Sequence, residues 1–153
     1  MSAIQELYQQ VILDHNRSPR NFRTMENATR SAEGFNPLCG DHYTVFVRME
    51  GETVADISFD GAGCAISKAS ASVMSSMLKG KERAEALQTF EEFHALVTRG
   101  LPEGKEVEDF GRLGAFAGVS EFPARVKCAI LPWYALRSAL TSEGTPVTTE
   151  EAR

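Results

Sequence analysis

Apolar residues recur at helical spacing near the start of the chain. They follow Ser2, a suitable N-cap, at Ile4, Leu7, Tyr8, Val11 and Ile12. The spacing predicts an amphipathic helix that ends near Asn16, because Ser18 precedes a proline and such a position disfavours helical geometry. Residues 22–36 show no sustained period. We therefore expect them to form a connector that lies over the surface.

Two runs of strictly alternating apolar residues come next. Residues 43–49 and 53–59 both have the period of half-buried strands, and residues 50–52 between them contain a glycine. This predicts a β-hairpin. Gly61 and Gly63 then allow a sharp turn into a helix over residues 65–79, which Gly80 should end.

The second half of the chain is predicted to be mainly helical. Residues 82–98 favour one or two helices, whereas residues 100–122 are weakly patterned, with one helical turn expected around residues 112–116. Pro123 suits the first position of a last helix, which we expect Pro132 to interrupt. Residues 141–153 are polar and predict a flexible tail.

These elements predict a single domain over residues 1–153 with an α+β fold, in which several α-helices pack on a small antiparallel β-sheet. The formal charge of −5 and the scattered basic residues argue against a nucleic-acid partner. Without a long apolar run, we expect no membrane segment and no signal peptide. Three widely spaced cysteines do not suggest disulfides, so we expect a reducing compartment, the cytoplasm.

The candidate chemistry centres on residues 36–41, which read Asn-Pro-Leu-Cys-Gly-Asp. In an extended segment Cys39 and Asp41 would project to the same side, and Gly40 would let the backbone pass close to a bound group. The remaining cysteines, Cys64 and Cys128, both fall where a helix is predicted to begin. Three thiolates and one carboxylate are acceptable ligands for tetrahedral zinc. The working hypothesis is a zinc site formed by Cys39, Asp41, Cys64 and Cys128.

The predicted surroundings favour thiolates. A helix N-terminus should stabilise negative charge on Cys64, and Arg125 lies three residues before Cys128, where it should lower the pKa of that thiol. Zinc with this ligand set carries a surplus of negative charge that Arg125 could offset. Cys39, on a glycine-containing loop, is the best candidate for a thiolate that leaves the metal and acts as a nucleophile.

Two alternatives stay open at this level. Each cysteine could be an inert buried thiol, because wide spacing carries little specificity for metal. His42 could serve as a ligand, although its side chain should point away from that of Asp41.

Four stretches together resemble the SufU family of zinc-dependent sulfur-transfer proteins, which are relatives of the IscU-type iron–sulfur scaffolds. They are residues 8–21 (YQQVILDHNRSPRN), 36–41 (NPLCGD), 59–74 (FDGAGCAISKASASVM) and 122–136 (FPARVKCAILPWYAL). Two features separate the chain from a typical IscU-type scaffold. Lys127 stands where such scaffolds have a histidine before the third cysteine, and the connection from Cys64 to Cys128 is long. The Leu-Pro-Pro-Val-Lys run of the scaffolds is also absent.

The resemblance implies an α+β fold with zinc at the rim of the sheet and a cysteine desulfurase that uses pyridoxal phosphate (SufS-like) as partner. It further implies that a histidine of that enzyme takes a zinc position, so that Cys39 is released to accept persulfide sulfur, which passes on to downstream iron–sulfur assembly proteins. The alternative functions are a scaffold that binds an iron–sulfur cluster and a domain with a purely structural zinc.

Overall fold

A four-stranded sheet and five helices make up the part of the chain that the computed structural model describes, residues 3–141 and 146–149. The strands are β1 (Arg30–Asn36), β2 (Asp41–Glu50), β3 (Thr53–Ala62) and β4 (Val147–Thr148). The helices are α1 (Ala3–Arg17), α2 (Ala65–Leu78), α3 (Arg83–Arg99), a 3-10 segment (Val107–Glu121) and α4 (Pro123–Thr141). The predicted α+β fold is confirmed.

The strands lie in the order β3-β2-β1-β4. The β2–β3 pair is antiparallel, as predicted, and Gly51 with φ of 63° turns this hairpin. The β1–β2 pair is antiparallel as well. The pair β1–β4 is parallel, so the sheet is mixed rather than wholly antiparallel. β4 comes from the segment 141–153 that the sequence predicts to be a flexible tail. Residues 142–145 and 150–153 of that segment lie outside the described residues.

The prediction of a surface connector over residues 22–36 holds for residues 22–29, which are mostly exposed and form neither a helix nor a strand. It is wrong for residues 30–36, because β1 pairs with β2 along its whole length. Its inward positions are Ala32, Gly34 and Asn36, none of them a large apolar residue. A Cβ at Gly34 would lie 3.0 Å from Leu131 Cδ1, so α4 packs directly on the strand backbone. The close packing requires small residues, and small residues leave no apolar alternation to detect.

The last helix runs through the centre of the core. Trp133 is fully buried, its ring stacks on Phe93 at 4.5 Å, and its indole N–H donates to Ser70 Oγ at 3.0 Å. α4 is continuous across Pro132, so the predicted interruption is wrong. A proline costs a helix interior about 3 kcal/mol. Burial of the helix from Cys128 to Leu140 outweighs that cost.

Two further elements differ from the prediction. The 3-10 segment is longer than the single turn expected around residues 112–116, and it breaks at Gly111, where φ is 57°. In α1, Leu7 was expected on the buried stripe, yet it is 58% exposed. The helix still packs on α2, chiefly through its later turns, where His15 is buried against Ser72. No helix within the described residues is long and apolar enough to cross a membrane.

Candidate metal centre

Residues 36–41 form the tip of the β1–β2 hairpin. Asn36 and Asp41 are a paired couple at the ends of the two strands, and the Gly40 N–H donates to the Asn36 carbonyl oxygen at 2.8 Å. Gly40 has φ of 77°, a conformation that glycine adopts without steric cost. The expected extended geometry is therefore wrong. The turn, and not strand alternation, brings Cys39 towards Asp41 and leaves the thiol exposed.

Asp41 is only 1% exposed and anchors the centre. Its Oδ1 accepts the Cys64 N–H at 2.9 Å, and its Oδ2 lies 3.8 Å from Cys64 Sγ. Gly63 makes this approach possible, because a Cβ at that position would sit 2.7 Å from Asp41 Oδ1 and 2.7 Å from the Tyr43 hydroxyl. The sequence pattern predicted only a change of chain direction at Gly63. Gly63 immediately precedes Cys64, a candidate ligand, and this position was the sequence feature that could have indicated its role at the site.

Cys64 is the N-cap residue of α2, as predicted. Its Sγ accepts the Ser67 N–H at 3.4 Å. The contact with Cys128 and the Ser67 N–H together lower the pKa of Cys64 to about 6, against the opposing effect of burial. The thiol is half-buried. Of the two neighbouring thiols Cys64 and Cys128, Cys64 is therefore the better suited to carry a thiolate at neutral pH.

Cys128 lies in the second turn of α4 and not at its start, and its thiol is buried. Its Sγ is 3.7 Å from Cys39 Sγ. The contact with Cys64, burial and the neighbouring Asp41 carboxylate raise the pKa of Cys128 in the metal-free chain. Contrary to our expectation, Arg125 does not lower the pKa of Cys128. The Arg125 guanidinium instead lies over the Phe122 ring, 4.7 Å from its centroid.

The spacing of the donor atoms suits a tetrahedral ion. One ligand atom each from Cys39, Asp41 and Cys128 lie within 4.8 Å of one another. Zinc binds thiolate sulfur at about 2.3 Å, so two sulfurs of a tetrahedron are separated by roughly 3.8 Å, and a sulfur and a carboxylate oxygen by roughly 3.6 Å. The Cys39–Cys128 distance of 3.7 Å and the Cys64–Asp41 distance of 3.8 Å match these edges. Cys64 is not part of this group of three, although its Sγ lies 3.8 Å from Asp41 Oδ2. Cys39, Asp41 and Cys128 therefore fit three positions of a zinc site, and Cys64 borders them.

His42 projects away from this cluster, as predicted. Its imidazole is exposed, and Nε2 lies 3.0 Å from Glu33 Oε1 on the outer face of the sheet. Apolar side chains flank the hairpin tip in solvent: Leu38 is 65% exposed and Phe35 44% exposed. The tip thus combines an accessible thiol with apolar surface.

Known proteins resemble the chain over most of its length. Residues 7–129 match the family model described as NifU-like N terminal domain. The zinc-dependent sulfurtransferase SufU of Bacillus subtilis is 41% identical over 140 residues, which cover 90% of this chain and 91% of SufU. The iron–sulfur cluster assembly scaffold protein IscU of Thermotoga maritima is 35% identical over 142 residues, covering 92% of this chain and 96% of IscU.

A solved structure also resembles the chain closely. It is a protein of Fervidobacterium islandicum AW-1 that is assigned as an iron–sulfur cluster assembly scaffold for the SUF system, with a TM-score of 0.78 and 34% identity. The match covers 90% of this chain and 98% of that one. The resemblance to SufU and IscU proteins, predicted from the four motifs, is confirmed. The chain belongs to the family of NifU-like N-terminal domains.

Proposed function

We propose that this chain transfers sulfur in iron–sulfur cluster assembly, and that Cys39 accepts persulfide sulfur from a cysteine desulfurase that uses pyridoxal phosphate. The observation that carries the proposal is the accessibility of one thiol in an otherwise enclosed cluster. Cys39 is exposed, Cys64 is half-buried and Cys128 is buried. The name of the Bacillus subtilis relative, a zinc-dependent sulfurtransferase, supports the same activity. All three cysteines are free thiols, which is consistent with a location in the reducing cytoplasm.

In the proposed centre Cys39, Asp41, Cys64 and Cys128 would hold zinc, which would keep the thiols deprotonated and lower their nucleophilicity while they are bound. The protein holds three of these groups in fixed positions. Asp41 is fixed by the Cys64 N–H, Cys64 by the Ser67 N–H, and Cys128 by its place inside α4. Cys39 is already exposed and lies on the hairpin tip next to Gly40, where a small backbone rotation can move its thiol away from the other ligands.

The chemical step requires no external oxidant. The Cys39 thiolate attacks the outer sulfur of the enzyme's persulfide, forming a sulfur–sulfur bond to Cys39. The bond between that outer sulfur and the enzyme's cysteine breaks, and the enzyme's thiolate leaves. Cys39 then carries the persulfide for downstream assembly proteins. Exposed Leu38 and Phe35 provide apolar surface for docking the desulfurase beside the thiol.

Arg125 retains a proposed electrostatic role. A zinc ion with three thiolates and one carboxylate carries a net charge of −2, and Arg125 lies one helical turn before Cys128. Arg125→Ala should therefore weaken zinc binding or sulfur acceptance more than Lys127→Ala, which removes an equal charge from another face of α4. Equal and negligible effects of the two substitutions would exclude this role.

The deciding experiment measures alanine release by a SufS-like desulfurase with and without the purified chain, and the metal content of each sample. Wild-type protein should contain about one zinc and accelerate turnover, whereas Cys39→Ser should give no acceleration. Glu92→Gln is the control, because it alters an exposed residue of α3, which contributes neither a proposed ligand nor a residue of the proposed docking surface. A zinc-loaded wild-type protein that leaves turnover unchanged would exclude sulfur transfer.

The second candidate is a scaffold that binds an iron–sulfur cluster, because relatives from Streptococcus pyogenes and Thermotoga maritima are named iron–sulfur cluster assembly scaffold proteins. A scaffold should form a coloured cluster when given iron and sulfide without oxygen, and should pass it to an apo-protein. A purely structural zinc is the third. It predicts that Asp41→Ala lowers thermal stability without a specific defect in sulfur acceptance.

A further inference from the structure

A fully buried amide side chain lies directly behind the candidate centre. Asn36 is the last residue of β1 and is 0% exposed. An amide has an acceptor oxygen and a nitrogen with two hydrogens, and a buried one needs partners for both. The structure provides them from three separate parts of the chain.

The partners fix which end of the amide faces the cluster. Oδ1 lies 3.2 Å from the Leu38 N–H and 3.2 Å from Thr149 Oγ1. A backbone N–H can only donate, so the atom facing Leu38 must be the oxygen. The nitrogen then faces the opposite way, and Nδ2 lies 3.9 Å from Cys128 Sγ, at the long end for an N–H donor to sulfur.

We propose that Asn36 is a positioning residue of the metal centre, whose side-chain N–H holds the Cys128 sulfur while its oxygen holds the Cys39 loop and the C-terminal strand. The proposal rests on the zinc ligand set proposed above. An N–H donor to a ligating sulfur withdraws charge from it, and partners of this kind orient ligands and tune metal affinity. Asn36 thereby makes Cys128 a fixed and weakly nucleophilic ligand, in contrast to Cys39.

Asn36 restricts how the loop can move through both its side chain and its backbone. Leu38 is bonded to Asn36 through its N–H, and Gly40 is bonded to the Asn36 carbonyl oxygen. A departure of Cys39 can therefore proceed by local rotation at the tip without unpairing β1 from β2. The first half of the loop stays in place, so the thiol can return to the same position.

The third partner, Thr149, directly follows β4. β4 pairs with β1 in parallel, and the Thr149 N–H donates to the Phe35 carbonyl oxygen at 3.2 Å. This pairing places the Thr149 hydroxyl, itself only 7% exposed, on Asn36 Oδ1. The C-terminal strand thus helps to orient the amide behind the centre, although it contributes none of the proposed ligands.

The test compares the metal affinity and cobalt spectra of wild type, Asn36→Asp and Asn36→Ala. Asn36→Asp keeps the acceptor, removes the N–H and adds a negative charge, whereas Asn36→Ala removes the acceptor and the N–H without adding charge. Zinc affinity is measured by competition with a chromophoric chelator, without any desulfurase. Both variants should bind zinc about 10- to 100-fold more weakly. The sulfur-to-cobalt charge-transfer band should move to lower energy, because the sulfur loses a hydrogen-bond donor.

The matched control is Ser72→Ala, which removes a buried hydroxyl at the α1–α2 contact and should lower stability without changing affinity or spectrum. If the Asn36 variants are less stable but keep wild-type affinity and band energy, Asn36 is only structural and the proposal is overturned. If the Asn36 variants do not fold, the Thr149→Val variant provides the test of the proposal. It should cause a smaller loss of affinity in the same direction, and wild-type values for it would overturn the proposal.

The outcomes also separate this inference from the proposed function. A wild-type chain that binds neither zinc nor cobalt overturns the ligand set, and this inference with it. A wild-type chain that binds zinc with a cobalt spectrum typical of thiolate ligands, together with Asn36 variants that match it, overturns only the role of Asn36.

Discussion

At the scale of single residues, the centre depends on close approaches that only small side chains allow. Gly63 is the sharpest case. The Asp41 carboxylate, the Tyr43 hydroxyl and Ser67 Oγ all lie within 2.7 Å of where a Cβ would be. Burial raises the pKa of Tyr43 to about 12, so its hydroxyl stays protonated at neutral pH. The hydroxyl is hydrogen-bonded to Ser67 Oγ at 3.1 Å. A methyl group at Gly63 must displace at least one of these groups.

We therefore predict that Gly63→Ala weakens zinc binding by at least tenfold, because Asp41 is displaced, and lowers the free energy of unfolding by about 1–3 kcal/mol, as overpacking typically does. Chelator competition and chemical denaturation measure the two effects. Gly118→Ala is the matched control, since a Cβ there meets nothing within 4 Å. Equal behaviour of the two variants would show that the approach of Asp41 to Gly63 is not required.

At the scale of elements, the contact between α1 and α2 contains a titratable group. His15 is 4% exposed, and its Nδ1 lies 2.7 Å from Ser72 Oγ, which also accepts the Arg20 N–H. Burial, together with the charges of Arg20 and Arg112, lowers the pKa of His15 below its usual value of 6.5, against the opposing charge of Asp14. The folded chain therefore binds this proton less readily than the unfolded chain.

The sign of the pH dependence follows from linkage. As the pH falls through 6.5, the unfolded chain takes up the proton first, so the free energy of unfolding decreases and continues to decrease down to the lower folded pKa. We expect His15→Gln to reduce this decrease, measured by urea unfolding of the metal-free protein across that range. Parallel pH profiles for wild type and variant would contradict the prediction.

The sequence predicted the elements whose patterning reflects burial against large partners. The β2–β3 hairpin and α2 were predicted nearly to their observed ends, because alternation and helical spacing report directly on a buried face. β1 was missed because α4 lies against the backbone of Gly34 and leaves no room for a large apolar residue. Continuity across Pro132 was missed because it depends on burial by elements distant in sequence.

At the scale of the whole molecule, the proposed ligands come from a hairpin tip, a helix N-terminus and the second turn of a late helix. Their residue types alone were enough to identify them as candidate metal ligands from the sequence. Asn36 and Gly63 could not be nominated in the same way, because an amide or a glycine becomes informative only when the fold shows what lies against it. The position of Arg125 over Phe122 likewise depends on tertiary packing.

The core of the molecule is built independently of the centre. Its large buried side chains, including Trp133, Phe93 and Phe116, pack between α3, α4 and the 3-10 segment. We therefore predict that zinc removal by a chelator leaves the far-UV circular dichroism intact but lowers the melting temperature. A free zinc concentration 100 times the dissociation constant stabilises a folded state by about 2.7 kcal/mol.

For a chain of this length, that stabilisation corresponds to a shift of roughly 5–10 °C. Differential scanning calorimetry with and without chelator measures it, and Cys128→Ser is the control, because loss of a fixed ligand should abolish most of the shift. The stabilisation should also increase with the logarithm of the free zinc concentration, since the ion binds only the folded chain. Complete unfolding on chelation, as in zinc fingers, would instead mean that the metal and not the apolar core holds the fold together.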